Sequence, residues 1–397
     1  MKGWMKTRKG LLLTGALGCL AGISGCLHPD TGQKGTDTGQ NGTDTLQKEM
    51  AFTDSVVMDP FYNALFSGDC DGFTGGDGTY SVALPDGRTI WLFGDSFIGG
   101  LNPDGTREKQ VPMYIRNCAI VQDGREMHTL LQERNGVNAS FAIPPTPPGS
   151  KPVPEDSIWF WPGDGLVEGG QFKLFLSEFI KTDTGMWGFE WRGTWIGSYT
   201  LPGLKEEKTE PLPFLSHLEI HFGHAVCETR EHTYVYGLGY GKPCAARYPA
   251  GDIHGTWEFY DGAGWSGDPG EARPMADIDG SEQFSVFRSG QTYVLVTQRG
   301  WFSDEICSYT SETPYGPWGN RQLLYRTPLP DSAHHLITYN ALAHPQFTES
   351  GMLLISYNTN SRILEDHFRD ASIYRPRFIR VPMKDILGKD PQEQHQP

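Results

Sequence analysis

The chain is poor in positive charge, in closely spaced cysteines, in long apolar runs and in helical periodicity. Against 48 Asp and Glu there are only 33 Lys and Arg, a formal charge of −15. Gripping nucleic acid takes clustered Lys and Arg to displace counterions, so that partner is excluded and a neutral one is expected. Seven cysteines include no C-x-x-C pair, and zinc-ligand spacing is absent. Cys70, Cys118, Cys227, Cys244 and Cys307 are scattered and read as buried apolar residues, with room for one bridge in an oxidising compartment. There is no G-x-G-x-x-G in a βαβ setting, no P-loop and no EF-hand loop, so no organic cofactor is expected. Beyond the N-terminus no stretch approaches the roughly 20 apolar residues of a membrane helix.

The N-terminus itself reads MKGWMKTRKGLLLTGALGCLAGISGC, with Lys2, Lys6, Arg8 and Lys9 ahead of an apolar run that ends in small residues. That order is an export signal. Ile23-Ser24-Gly25-Cys26 resembles the bacterial lipobox, which implies cleavage of residues 1–25 and lipidation of Cys26. Cys19 would leave a very short apolar region. The chain is then expected in the bacterial cell envelope, held to a membrane by its lipid and facing the periplasm or the outer surface. Residues 26–51 follow with the repeated DTGQKGT and DTGQNGT, a polar tract that cannot bury enough surface to fold and reads as a disordered tether.

What is abundant is glycine, 49 residues, and proline, 28, set between short apolar strands. This is an all-β pattern. One hairpin type recurs five times, and the centres of its second strands fall near Leu92, Phe175, Val235, Leu295 and Ile355, spaced 83, 60, 60 and 60 residues apart. A period of that size, with about four strands to a unit, predicts a five-bladed β-propeller over residues 52–390, each blade burying both faces against its neighbours. Two packed sheets are the alternative. A calcium or sodium ion on the propeller axis is compatible with this fold, but the sequence assigns it no ligands and any metal remains unknown.

The first hairpin, GGDGTYSVALPDGRTIWLFGDSF, sets Asp77 before one strand and Asp95 after its partner. With PDG as the turn, pairing Tyr80–Leu84 with Thr89–Phe93 puts Asp95 opposite Gly78, one residue from Asp77, and the glycines leave room for a ligand. Two carboxylates so close repel, so one keeps its proton while the other ionises, the division of labour that glycosidic bond hydrolysis needs. Each aspartate alone could equally make an Asx turn. Glu282 is the expected third acid, ahead of Glu178, which aligns with Asp95.

Aligning the repeats brings sugar-binding residue types to the same end of the other blades: Trp159, Trp161, His221, His224, Gln298, Arg299, Asn340, His344, Asn358 and Asn360. Arg247 and Arg377 could clamp substrate or bridge blades, the tryptophans could pack between blades, His344 could only hold a strand, and Asp164, in PGDG, reads as a turn residue.

The segments GGDGTYSV, LPDGRT, WLFGD, AARYPAGDI, WEFYDGAGW, YNALAHPQF and YRPRFIRV resemble the five-bladed propellers of glycoside hydrolase family 183, bacterial endo-D-arabinanases, and their sister families of exported proteins. The likeness spans about residues 60 to 385 and is most specific in the first hairpin. It implies hydrolysis of α-D-arabinofuranosyl bonds in an arabinan, with the acid pair on Asp77 and Asp95. The competing expectation is a carbohydrate-binding surface lipoprotein that uses the same funnel without bond cleavage.

Overall fold

The computed structural model describes residues 55–388 apart from 110–112, 135, 147–148, 152–153, 184–187, 216–218 and 329–334. The export signal, Cys19, Cys26 and the tether lie outside the described residues. No helix among the described residues is long and apolar enough to cross a membrane.

Five antiparallel sheets of four or five strands follow one another along the chain. Blade one has its inner hairpin at Phe73–Ala83 and Thr89–Ile98, blade two at Ile158–Glu168 and Gln171–Lys181, blade three at Ile220–Glu228 and His232–Gly239. Blade four has Phe284–Ser289 and Thr292–Gln298, and blade five Leu336–Glu349 and Met352–Ser361. The first strand of each hairpin touches the first strands of the two neighbouring blades, and blade five returns to blade one. This is a closed five-bladed β-propeller.

The repeat spacing has a physical cause in the second strands. Each lies between two other blades, so both of its faces are buried and its residues alternate between two cores. In blade one, Ile90 and Leu92 pack on Phe160, Phe172 and Leu174 of blade two, while Trp91 and Phe93 pack on Leu354 and Phe378 of blade five. In blade four, Leu295 joins Tyr234 and Tyr236 of blade three, and Val294 and Val296 join Leu353 and Ile355 of blade five. A fifth core fills the space between blades two and three around Phe175, Phe222 and Val235. Five inter-blade cores, not one central core, hold the ring together, and fully buried strands of this kind read as nearly unbroken apolar runs. All five cysteines among the described residues are free and buried, in agreement with their reading as core residues.

The ring is closed by both ends of the described chain. Val57–Met58 pairs antiparallel with Pro376–Pro382, completing blade five as its outermost strand. Asp59 then caps the short helix Pro60–Leu65, its Oδ1 accepting from the Tyr62 N–H at 2.7 Å while its Oδ2 accepts from Arg380 Nε at 2.6 Å.

Candidate active site

The first hairpin departs in register from the sequence expectation. The loop takes five residues, Leu84 to Arg88, with the Leu84 N–H bonded to the Arg88 carbonyl at 2.8 Å, so Ala83 opposes Thr89. A further shift at Thr79 sets Gly78 opposite Phe93, not Asp95, and Gly76 faces Ser96. Asp77 lies in the bulge between these pairs, across from Gly94 and Asp95 together. A bulge sets two residues against one and re-aims the side chains there. Gly78 at φ +98° and Thr79 at φ +61° make a second irregularity immediately after it. The flanking glycines also have a steric cause. A Cβ on Gly94 would stand 2.7 Å from Asp77 Oδ1, and one on Gly75 would collide with the Arg107 guanidinium and the Tyr374 carbonyl.

Asp77 and Asp95 are both partly buried, and each is held by a tyrosine from outside the hairpin. Tyr339, 262 residues away on the inner strand of blade five, donates to Asp77 Oδ2 at 2.6 Å and accepts from Asn360 Nδ2 at 2.9 Å. Tyr114 donates to Asp95 Oδ2 at 2.6 Å, Trp161 Nε1 donates to Asp95 Oδ1 at 3.0 Å, and Arg116 Nη1 stands 3.4 Å from Oδ1. The Arg116 guanidinium is itself stacked over Trp159 at 4.1 Å from the ring centre.

This arrangement separates the charges. Burial and the nearby Asp95 charge push Asp77 up to about 7, against the pull of the Tyr339 and Tyr374 hydroxyls. Burial also raises Asp95, but the Arg116 charge and the Tyr114 and Trp161 donors oppose that rise. Among the described residues Arg116 stands beside Asp95 and no cation is paired with Asp77, so Asp95 is the member that ionises first and Asp77 the member that keeps its proton.

The structure gathers some expected site residues at this pair and distributes others. Trp161 joins the pair. Trp159 is buried at 2% exposure beneath Arg116 and packs on Phe179 and Phe189, so it serves packing. Glu282 is grouped with two imidazoles instead of the aspartates: its Oε1 lies 2.5 Å from His221 Nδ1 and 3.4 Å from His224 Nε2. Burial alone would raise its pKa, but the two histidines outweigh that and hold the carboxyl well below its usual range, so it is not placed as a proton donor. Glu178 stays within blade two with Trp195 and Arg192.

Gln298 is buried and donates to Ser303 and Thr338 backbone carbonyls, tying blade four to blade five. Arg299 is exposed and pairs with Glu305 at 3.1 Å. Arg247 grips Glu258 on its own blade at 2.7 Å and stacks on Trp265. Arg377 donates to the Ser372 carbonyl at 2.9 Å. Asn340 takes φ +54° and accepts from Ser281, and Asn358 accepts from Thr79 at 2.9 Å; both are inter-blade links at the inner strands. His344 is fully buried between Ser81 and Ser356, at 2.6 and 2.9 Å, and burial pushes it down to about 3, so it is a neutral core residue. Asp164 lies in the inner strand of blade two, and its Oδ2 accepts from the Val226 N–H of blade three at 2.8 Å.

Residues missed by the sequence reading are the partners of the acids, Tyr114, Arg116, Tyr339 and Tyr374, and an aromatic ledge beside them. Trp301 and Phe302 follow the second strand of blade four and are 55% and 41% exposed. Their rings lie 6.4 Å apart, and Phe302 lies 6.2 Å from Tyr339, the residue that holds Asp77. Arg362 stands over Phe302 at 5.9 Å. The one available signal was the long first spacing, 83 residues against 60. The extra length includes Met113–Ile115, which pairs with Ser96–Ile98 and so delivers Tyr114 and Arg116 to Asp95.

Two surface concavities, one of about 430 Å³ lined by Ser157, Ile158 and Ile180–Asp183 and one of about 370 Å³ lined by residues including Glu219, Tyr240 and Pro274, contain neither aspartate.

The family model that matches is described as "Domain of unknown function (DUF5005)" and covers residues 59–385. No curated protein matches the chain. Among solved structures, a "putative hydrolase" from Bacteroides ovatus ATCC 8483 superposes with TM-score 0.72 and 25% identity, covering 86% of this chain and 93% of that one. A GH43_1 enzyme from Xanthomonas citri superposes with TM-score 0.45 and 14% identity over 83% of this chain and 93% of its own. An exo-beta-1,3-galactanase from Phanerochaete chrysosporium, bound to galactose, gives TM-score 0.44 and 10% identity over 79% of this chain and 62% of its own. Neither of these two weaker likenesses bears on the chemistry.

Proposed function

The chain belongs to the DUF5005 family, its match covering residues 59–385, and from its paired aspartates we propose that it is a glycoside hydrolase acting on a neutral polysaccharide. The observation that carries this reading is the coupled pair itself, one carboxyl kept protonated to about 7 beside another that has an arginine partner. A protein that only bound sugar would gain nothing from two acids crowded in one bulge, since amides and aromatics bind hydroxyls without that repulsion. The hydrolase description of the Bacteroides ovatus protein, which shares the fold at TM-score 0.72, agrees with it.

In this reading Asp77 gives its proton to the glycosidic oxygen as the bond to the anomeric carbon breaks. Asp95 stays ionised, available to stabilise the positive charge that develops there and to draw a proton from the attacking water. Trp301 and Phe302 offer exposed ring faces on which a sugar can stack, and the net charge of −15 disfavours an anionic glycan. The finer proposal is an arabinan with α-D-arabinofuranosyl linkages, supported by the first-hairpin resemblance. The N-terminal signal and Cys26 extend it to a lipid-anchored enzyme of the cell envelope. The chemistry requires no organic cofactor.

The test is a panel of D-arabinan, L-arabinan, arabinogalactan, xylan and galactan assayed for released oligosaccharides. Release from at least one is expected. Binding of a glycan with no release from any would replace the enzyme by a binding module.

Two variants probe the surroundings of Asp77 on the substrate so identified. Tyr339→Phe removes a hydrogen bond that favours the Asp77 carboxylate, so the Asp77 pKa rises and the basic limb of the pH–rate profile moves up by about 1 unit. An unmoved or lowered limb would separate Asp77 from the titration. Trp301→Ala is expected to raise KM by about 3- to 10-fold with kcat nearly unchanged, as the loss of one stacking face predicts. A fall in kcat at constant KM would remove Trp301 from binding.

A further inference from the structure

We propose that His221, His224 and Glu282 form a binding site for one divalent transition-metal ion, of the zinc type, with a coordination position left open. His221 and His224 are three apart on the inner strand of blade three, a spacing that in a regular strand sends side chains to opposite faces. Here the register breaks between Phe222 and Ala225, with Gly223 at φ +107°, and the bulge turns His224 onto the side of His221. The two rings come to 4.4 Å between centres. Glu282, just before the inner strand of blade four, completes the group, and one ligand atom from each residue lies within 4.8 Å of the others.

Three further features fit an ion at this point. His224 Nε2 is buried, in a residue only 4% exposed, and has no hydrogen-bond partner although Glu282 Oε1 is 3.4 Å away. Two ligands about 2.1 Å from a tetrahedral ion stand about 3.4 Å apart, so this orphan nitrogen and the carboxylate already have the required separation. The outward nitrogens are the ones engaged elsewhere: His221 Nε2 lies 2.7 Å from Ser177 Oγ of blade two, and His224 Nδ1 lies 3.4 Å from the Tyr80 hydroxyl of blade one. That is the outer-shell pattern by which metal-ligating imidazoles are oriented. The Glu282 side chain remains 29% exposed, which leaves a side for water or a sugar hydroxyl.

The donor set also selects the ion. Two imidazole nitrogens and one carboxylate suit zinc and its neighbours, whereas calcium, magnesium and sodium take sets of oxygen ligands. The site therefore differs from the hard axial ion that the fold alone suggested. It stands independently of the chemistry assigned to Asp77 and Asp95.

The test uses the full chain, freed of metal with a chelator and titrated with Zn²⁺ by calorimetry and with Co²⁺ by visible absorption. One equivalent is expected, with a Co²⁺ spectrum of low coordination number and paramagnetically shifted imidazole N–H signals. His224→Asn and Glu282→Gln should each weaken binding by 100-fold or more at unchanged circular dichroism. Ser177→Ala, which leaves all three ligands in place, should weaken it by about 10-fold. No saturable binding, or stoichiometric binding that survives both His224→Asn and Glu282→Gln, would overturn the site. If those variants fail to fold, a wild-type Co²⁺ complex lacking shifted imidazole signals would do the same.

Discussion

Asp77→Asn is expected to lower glycan hydrolysis by about 10³-fold or more, because Asn preserves the shape of the side chain but cannot deliver a proton. The same substitution is expected to stabilise the fold at neutral pH. In the unfolded chain this carboxyl titrates near 3.8, and in the folded chain near 7. Between those values the folded state holds the extra proton, so the wild-type protein loses stability as pH rises from about 4 to 7 and stays at the lower level above it. Asn carries no such penalty. The variant should therefore exceed wild type by about 1–3 kcal/mol above pH 7 and match it below about pH 4, as read from urea unfolding at both pH values. A variant that is destabilised at pH 8, or fully active, contradicts the assignment. The expected result, an inactive but more stable variant, would make the site a place where function is maintained at the expense of stability.

Asp59→Ala should have a large effect on stability although it lies away from the site. Its carboxylate caps the helix Pro60–Leu65 and pairs with Arg380, with side-chain exposures of 6% and 14% for the two partners. Removing it leaves the half-buried Arg380 guanidinium, which still donates to the Phe347 carbonyl, without its counter-charge, and uncaps a helix whose Tyr62, together with Phe66 just beyond it, packs against Trp91 and Phe378. A loss of about 3 kcal/mol or more is expected in urea unfolding. Asp86→Ala, which breaks the exposed Asp86–Arg88 pair on the hairpin turn, should leave the midpoint unchanged. Equal effects for the two would mean that ring closure does not depend on the Asp59 clasp.

The blades were legible because propeller geometry buries both faces of every second strand. Leu92, Phe175, Val235, Leu295 and Ile355 are all at most 1% exposed, so their spacing survives as an apolar signal in an otherwise turn-rich sequence. The acid pair was legible for a different reason, since two acids flanking a short hairpin must share an end of it. The details of the pairing were hidden by bulges. Thr79 and Asn340 adopt positive φ without being glycine, and Gly223-His224 is inserted into a strand that reads as regular. Glycine and asparagine permit such a conformation at many positions, so their presence does not single out these bulges, and Thr79 carries no such signal at all.

The partners of the acids were hidden by topology. Tyr339 reaches Asp77 from blade five, and Tyr114 and Arg116 reach Asp95 from the segment that lengthens blade one. Ring closure and a surface insertion, not sequence proximity, bring them there. Trp159 and His344 show the reverse case: residue types common in sugar sites that this fold uses for packing.

The proposed hydrolysis turns on one division of charge, Asp77 protonated beside an ionised Asp95. Aspartate labelled with ¹³C at Cγ measures it without any substrate, the Asp77 resonance being identified by its loss in Asp77→Asn. The carboxyl signal of Asp77 is expected to titrate near 7 in the wild-type protein. In Asp95→Asn, where the neighbouring negative charge is gone, its midpoint should fall. A midpoint near 3.8 in the wild type, or one that Asp95→Asn leaves in place, would contradict the coupled pair and with it the proposed hydrolysis.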